Sequence, residues 1–312
     1  MLSFLPAPIK GGLAALLILF HTLLFFPLLL LLALVKLVVP LPPVRKGCTI
    51  GLNIIASNWA SFNNLITRLL HNIHWDIRGV EHLTRDHWYF VTCNHQSWTD
   101  IPAIQFALNR RIPMLRFFLK KELIWVPLLG VAWWALDFPF MHRYSREQIA
   151  RRPELRGKDL EATRLACEKY RHTPVTVFNF MEGTRLTPAK QAAQKSPYKH
   201  LLKPKAGGSA FVLGAMGDTL HTMLDITIVY PGQHRIGIWD YLCGRITHII
   251  VDVQTVEIPP QFLGMDYQND RQAQKAFITW VADLWSAKDQ RIEQLKSGED
   301  TQLASADNRL GA

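Results

Sequence analysis

From Gly11 to Val35 the chain carries no charged residue. As a helix rising about 1.5 Å per residue, this run is roughly 37 Å long, enough to cross the hydrocarbon of a bilayer. A cleaved export signal has a shorter apolar core, ~7–15 residues, that ends at a small-residue site. Here the run continues into Lys36-Leu37-Val38-Val39, so a retained anchor is expected. Pro27 stands in its middle and should kink the helix. With His21 and Thr22 close by, a segment that dips into one leaflet is the alternative to one that spans. Only Lys10 precedes the run, whereas Lys36, Arg45 and Lys46 follow it. The positive-inside bias puts the bulk of the chain on the cytoplasmic side.

Pro40, Pro42 and Pro43 end this segment. A second element is expected from Ile50 to about Ile73, where Leu52, Ile55, Trp59, Phe62, Ile66 and Leu69/Leu70 recur at three- and four-residue steps. That is an amphipathic helix, suited either to the membrane interface or to packing on the rest of the chain. Beyond it the pattern changes. Trp75–Val80 and Trp88–Cys93 are expected strands, as are Val175–Phe180 and Leu224–Tyr230. Helices are expected after Ser97, over Arg146–Tyr170, over Ala206–Met216 and over Asp270–Ile292. Alternating strands and helices indicate an α/β fold: a mixed central sheet flanked by helices, preceded by an N-terminal membrane-associated helix pair. The division is an anchor and amphipathic helix over 1–73, a catalytic domain over 74–258, and a C-terminal helix with a disordered, polar tail over 259–312.

Net charge is +10, and between Met141 and Gly208 there are 15 Lys or Arg against 6 Asp or Glu. A concentration of this kind attracts polyanions. Lipid headgroups, cofactor phosphates, acidic proteins and nucleic acid are such polyanions, although no nucleic-acid motif accompanies the charge; a solvated basic helix face is the plain alternative. The four cysteines, at 48, 93, 167 and 243, have no metal spacing and fit a reducing compartment.

The chemistry lies in two short blocks. Asn94-His95-Gln96-Ser97-Trp98-Thr99-Asp100 follows an apolar strand, and Glu182-Gly183-Thr184-Arg185 follows another. With His95 in the strand-to-helix turn and Asp100 in the next helical turn, their side chains can meet. A carboxylate that holds one ring nitrogen of a histidine fixes its tautomer and stabilises the imidazolium. No protein nucleophile is evident, and Ser97 is better read as a cap, so the substrate would supply the attacking hydroxyl. Arg185 offers a planar fork suited to phosphate, and Gly183 permits a tight turn. Glu182 either locks Arg185 or orders that turn. The plainer alternatives are a helix N-terminal anion for Asp100 and a structural ion pair for Arg185.

These blocks resemble those of the glycerolipid (lysophosphatidate and lysophospholipid) acyltransferase family. Lys120-Lys121-Glu122-Leu123, Pro127 and Gly130 are similar to the segment leading into the family's second block, and Phe140-Met141-His142-Arg143 to that block itself. Met181 stands where the family usually has Pro, and Ile228-Val229-Tyr230-Pro231 matches the fourth block weakly. Lys203-Pro204-Lys205-Ala206-Gly207-Gly208 is similar to the lysocardiolipin-type branch and its bacterial relatives. The resemblance covers about residues 75 to 232. It implies an O-acyltransferase of the bacterial inner membrane, facing the cytoplasm, that moves a fatty acyl group from acyl-CoA or acyl carrier protein to a lysophospholipid. The first-ranked acceptor is 1-acylglycerol-3-phosphate, and a lysolipid with a larger headgroup is the alternative. His95 would be the general base and Asp100 its partner. Arg185, Arg143 and Lys120 would hold the acceptor phosphate, with Glu182, Gly183 and Thr184 shaping the loop. No metal or redox cofactor is implied. A non-catalytic lipid-binding protein using the same pocket is the reading from a different class.

Overall fold

The structure is a computed structural model and describes residues 4–141, 151–152, 165, 167–168, 170, 173–233, 236–267 and 269–298. Most of the helix expected over Arg146–Tyr170, and the tail from residue 299, lie outside the described residues. Two long helices come first, α1 (Ala7–Val38) and α2 (Pro42–Leu70). Strands β1 (His74–Arg78) and β2 (Tyr89–Cys93) follow, then α3 (Asp100–Leu108). Short pieces come next: β3 (Leu115–Phe117), β4 (Leu119–Lys120), a 3₁₀ turn at Lys121–Trp125, α4 (Leu129–Ala135) and β5 (Phe140–Met141). After β6 (Thr176–Asn179) come α5 (Pro188–Gln194), α6 (Ala206–Met216), β7 (Thr222–Val229), α7 (Ile238–Leu242), β8 (His248–Glu257) and α8 (Arg271–Ser297).

Six strands form one sheet in the order β1-β8-β7-β2-β6-β3. Strands β7, β2, β6 and β3 run parallel, and β8 lies antiparallel to β7 with β1 parallel to β8. The expected α/β architecture, a mixed sheet flanked by helices behind an N-terminal helix pair, is therefore observed. Its central strands are buried apolar runs, as strands covered on both faces are. On one face Ala103, Ile104, Ala107 and Leu108 of α3 pack with Val91, Ile226 and Val251. On the other, α6 and α8 pack with Val177, Met223 and Ile250. Helix α8 carries Phe277, Val281, Trp285 and Ile292 into that same core, capped at its start by Asp270, which accepts from Gln272 and Ala273 N–H. It also buries Lys288, whose Nζ donates to the Ile226 carbonyl at 2.6 Å and pairs with Asp225 at 2.8 Å.

Two strands of the main sheet were not anticipated, β3 and β8. Helix α2 also starts earlier than Ile50, because Pro42 and Pro43 occupy its first turn, where a missing N–H costs nothing. Its contact face differs too. Cys48, Leu52, Ala56, Ala60, Ile66 and Leu70 are buried, whereas Phe62 and Leu69 are exposed. Small side chains, Ala56 and Ala60 on α2 and Ala14 and Ala33 on α1, let the helices approach closely. Part of the expected apolar face, Leu52, Ile66 and Leu70, is thus kept inside, and Phe62 and Leu69 are turned outward.

Helix α1 continues through Pro27 and is long and apolar enough to cross a membrane. Its outer surface includes Leu16, Phe20, Leu24 and Leu31, which are 65%, 68%, 62% and 59% exposed. Near its start Gly11 faces Cys243 and Trp239; a Cβ there would meet Cys243 Sγ at 2.7 Å. Near its end Lys36 pairs with Asp137. The helix thus touches the sheet domain at both ends.

Candidate active site

Strands β7, β2 and β6 are neighbours with the same direction, so their carboxyl ends open side by side. That is where sites form in open α/β sheets. Asn94, just past β2, clamps the opening to β7: its Nδ2 donates to the Ile228 carbonyl at 2.9 Å and its Oδ1 accepts from Ile228 N–H at 2.8 Å. Gln96 Nε2 donates to the same carbonyl at 2.9 Å. Thr99 and Ser97 donate their hydroxyls to the Ile236 carbonyl, Thr99 at 2.9 Å. Ser97 Oγ also accepts from Thr99 N–H at 3.1 Å. Its hydroxyl is committed to the turn and does not bond His95.

His95 Nδ1 lies 2.8 Å from Asp100 Oδ2. Asp100 is fully buried and anchors the start of α3. Its Oδ2 also accepts from the N–H groups of Gln96 at 2.7 Å and Ser97 at 2.8 Å, and Oδ1 accepts from Tyr230 Oη at 2.7 Å. A carboxylate only accepts, so Nδ1 is the donor of this pair, and in the neutral ring the lone pair is on Nε2. Nε2 has no hydrogen-bond partner among the described residues. The ring stacks on Phe180 with centroids 3.9 Å apart and planes at 16°, which fixes its tilt, and 14% of the side chain is exposed.

The second block is bound to the first by two hydrogen bonds. Glu182 Oε1 accepts from His95 N–H at 2.8 Å, and Leu186 N–H donates to the His95 carbonyl at 2.7 Å. Glu182 Oε2 accepts from Leu202 N–H at 2.9 Å. Glu182 is fully buried, and burial pushes its carboxyl up to about 7, against the pull of those two N–H groups and of Lys288. It therefore orders the turn and makes no ion pair with Arg185. Gly183 has φ +67°, a left-handed conformation that glycine adopts without strain. Thr184 Oγ1 accepts from Lys190 Nζ at 2.7 Å.

Arg185 is exposed and its guanidinium sits 4.9 Å from the centroid of the Trp98 ring. The stack holds the charge beside the histidine block. Exposed cation–π pairs are worth about 0.5–1 kcal/mol, so the contact orients the guanidinium only weakly. Of the other expected site residues, Lys120 lies exposed on β4 with no hydrogen bond or ion pair to this cluster among the described residues. Arg143 lies outside the described residues. Three contributors stand in the quoted blocks but were given no site role from sequence. Tyr230 and Asn94 reach the site from β7 and β2. Lys205 lies across Gly183, where a Cβ would meet its Nζ at 3.2 Å.

Residues 74–230 match the family model described as Acyltransferase. The chain belongs to the glycerolipid acyltransferase family. A 2-acyl-1-lysophosphatidylinositol acyltransferase of Saccharomyces cerevisiae is 28% identical over an alignment 247 positions long, which covers 66% of this chain and 60% of the yeast protein. A 1-acyl-sn-glycerol-3-phosphate acyltransferase of Pseudomonas aeruginosa is 27% identical over 161 residues, 52% of this chain and 53% of that protein. The crystal structure of the 1-acyl-sn-glycerophosphate acyltransferase from Thermotoga maritima overlaps 89% of this chain and 97% of that one, at 16% identity and a TM-score of 0.49. The chain spans less than two thirds of the length of the curated relatives it matches, 60% of the yeast protein and 53% of the Pseudomonas one.

Proposed function

We propose that this acyltransferase moves a fatty acyl group from a thioester donor, acyl-CoA or acyl carrier protein, to the free hydroxyl of a lysophospholipid, with 1-acylglycerol-3-phosphate as the first-ranked acceptor. The observation that carries this reading is His95 Nε2, unpartnered and basic by tautomer, in a histidine held at Nδ1 by Asp100 and tied through Glu182 to an Arg-bearing loop. The acceptor hydroxyl gives its proton to Nε2 as its oxygen attacks the thioester carbonyl. Asp100 stabilises the imidazolium that forms. The tetrahedral intermediate collapses by breaking the C–S bond, and the departing thiolate takes the proton back from Nε2. Arg185 and Lys205, with Arg143 and Lys120, attract the acceptor phosphate.

A larger acceptor headgroup is the second reading. It is favoured by the yeast relative, whose name specifies lysophosphatidylinositol, and by the segment Lys203–Gly208. Purified protein supplied with labelled acyl-CoA or acyl carrier protein and a panel of lysolipids decides between them. Preferred acylation of 1-acylglycerol-3-phosphate is the expected result. Preference for lysophosphatidylinositol would establish the second reading, and no transfer to any lysolipid from either donor would end both.

Membrane seating follows from the helix pair. Gly11 and Lys36 lie 25 positions apart, roughly 38 Å along a helix, and both touch the sheet domain. A helix crossing the bilayer away from the domain would keep contact at one end alone. In this reading α1 and α2 lie in one leaflet with their exposed leucines and phenylalanines in acyl chains. Trp98, Trp125, Trp134 and Trp239, all exposed, sit at the headgroup level that tryptophan favours.

A further inference from the structure

A cavity of about 1260 Å³ opens between the end of α1, the start of α2 and the segment from α4 to β5. It exceeds the ~300–1,000 Å³ of ordinary small-molecule pockets. None of its walls comes from the His95 cluster. Lys36, Arg45 and Lys46 stand at its rim, and Arg116 of β3 lines its interior. Asp137, the acidic residue of the wall, is already paired with Lys36.

Arg116 is the unusual member. It is only 5% exposed, yet its Nε and Nη1 have no hydrogen-bond partner. Among the described residues its Nη2 donates to Asn53 Oδ1 at 3.1 Å. The rings of Phe138 and Tyr170, 5.9 and 5.7 Å away, hold the guanidinium in position. The Asp137 carboxylate that acts on this buried cation is shared with Lys36, so its charge is incompletely compensated among the described residues, which is costly; a guanidinium is shaped to take phosphate oxygens on its unused N–H groups. The opposite wall is apolar: Ala33, Leu37 and Ile50 line it, and Leu37 and Ile50 belong to the exposed apolar surface of the helix pair.

We propose that this cavity is a second lipid site, which takes one anionic phospholipid from the leaflet with its phosphate against Arg116 and its acyl chains beside Leu37 and Ile50. The occupant is not the reacting acceptor. The choice of a lipid over a free anion rests on the membrane seating given above. Rim cations add attraction to an anionic headgroup, of order 1 kcal/mol each near a charged leaflet.

Thermal unfolding of the full-length protein in nonionic detergent micelles tests this, with dioleoyl phosphatidylglycerol, dioleoyl phosphatidylcholine or inorganic phosphate added. Phosphatidylglycerol should raise the wild-type melting temperature by about 3 °C or more, and the other two should not. Arg116→Met should melt without lipid at or above the wild-type temperature, because an apolar replacement of a buried charge is often neutral or stabilising, and should lose most of the phosphatidylglycerol shift. The pair Arg45→Glu and Lys46→Glu, at exposed positions that leave the fold intact, should at least halve it. An equal response to phosphatidylcholine or to inorganic phosphate overturns the proposal, as does a wild-type shift that both variants retain or no shift at all. Flotation with zwitterionic vesicles reports the seating separately: both variants should float like wild type, and a wild type that stays in solution overturns the seating instead.

Discussion

Replacing His95 with alanine should lower acyl transfer by about 10²–10⁴-fold while the protein stays folded. The loss is that of a base whose Nε2 has no hydrogen-bond partner among the described residues. The fold survives because the other three donors to Asp100, the N–H groups of Gln96 and Ser97 and the hydroxyl of Tyr230, remain. Glu182 bonds the backbone N–H of residue 95, which alanine keeps. Asp100→Asn should cost less, about 10²-fold. An asparagine oxygen at the Oδ2 position still accepts from Nδ1–H and keeps the tautomer, and the Tyr230 hydroxyl can turn to accept from the new amide. What disappears is the negative charge that stabilises the imidazolium. Single-turnover rates with circular dichroism as the folding control give the ordering: wild type, then Asp100→Asn, then His95→Ala. If His95→Ala turned over like wild type, the acceptor hydroxyl would have to lose its proton elsewhere and the proposed chemistry would fail.

The part of this site that could be read from sequence is the part made by local geometry. Five positions from a strand-to-helix turn into the first helical turn bring an imidazole to a carboxylate in any α/β unit, so His95 and Asp100 were legible. The link between the two blocks was legible only as an alternative, since Glu182 might have served Arg185; the decision lies in a backbone N–H 87 positions upstream. Tyr230 and Asn94 depend on β7 lying beside β2, a pairing of Cys93 with Ile226 that no local pattern encodes. The sheet was underestimated for a similar reason. In His248–Glu257, Ile249, Val251 and Val253 face one core and Ile250 and Val256 the other, so the strand shows a two-residue period only once both faces are known to be covered. On α2, packing through Ala56 and Ala60 shifts the contact face from the one hydrophobic periodicity favours: Leu52, Ile66 and Leu70 stay buried while Phe62 and Leu69 turn outward.

Glu182→Gln should cut turnover by about 10–100-fold and change the shape of the pH profile. The carboxylate accepts one N–H on each oxygen, from His95 and from Leu202. A glutamine offers one oxygen and one amide nitrogen, so one buried N–H faces another donor, a cost of about 1–3 kcal/mol. Relief comes by moving the His95 backbone or the loop, and displacement of about 1 Å at a catalytic group is worth about 10² in rate. The same conflict arises in wild type when Glu182 takes a proton, which its raised value of about 7 brings near neutrality. The general base must also be unprotonated, so the acid limb of log kcat should approach a slope of two in wild type and one in Glu182→Gln. Stability runs the other way. The folded protein holds the Glu182 proton more tightly than the unfolded chain, whose value is near 4.5, so this group's stabilisation is complete below about 4.5 and is lost as pH rises through about 7, of order 3 kcal/mol in all. Glu182 therefore destabilises the fold in the form that orders the site, the usual direction of conflict between stability and activity. Denaturant unfolding at several pH values should show this loss in wild type and not in Glu182→Gln. Equal pH dependence in the two proteins, with equal acid limbs, would remove Glu182 from the role of organising the loop.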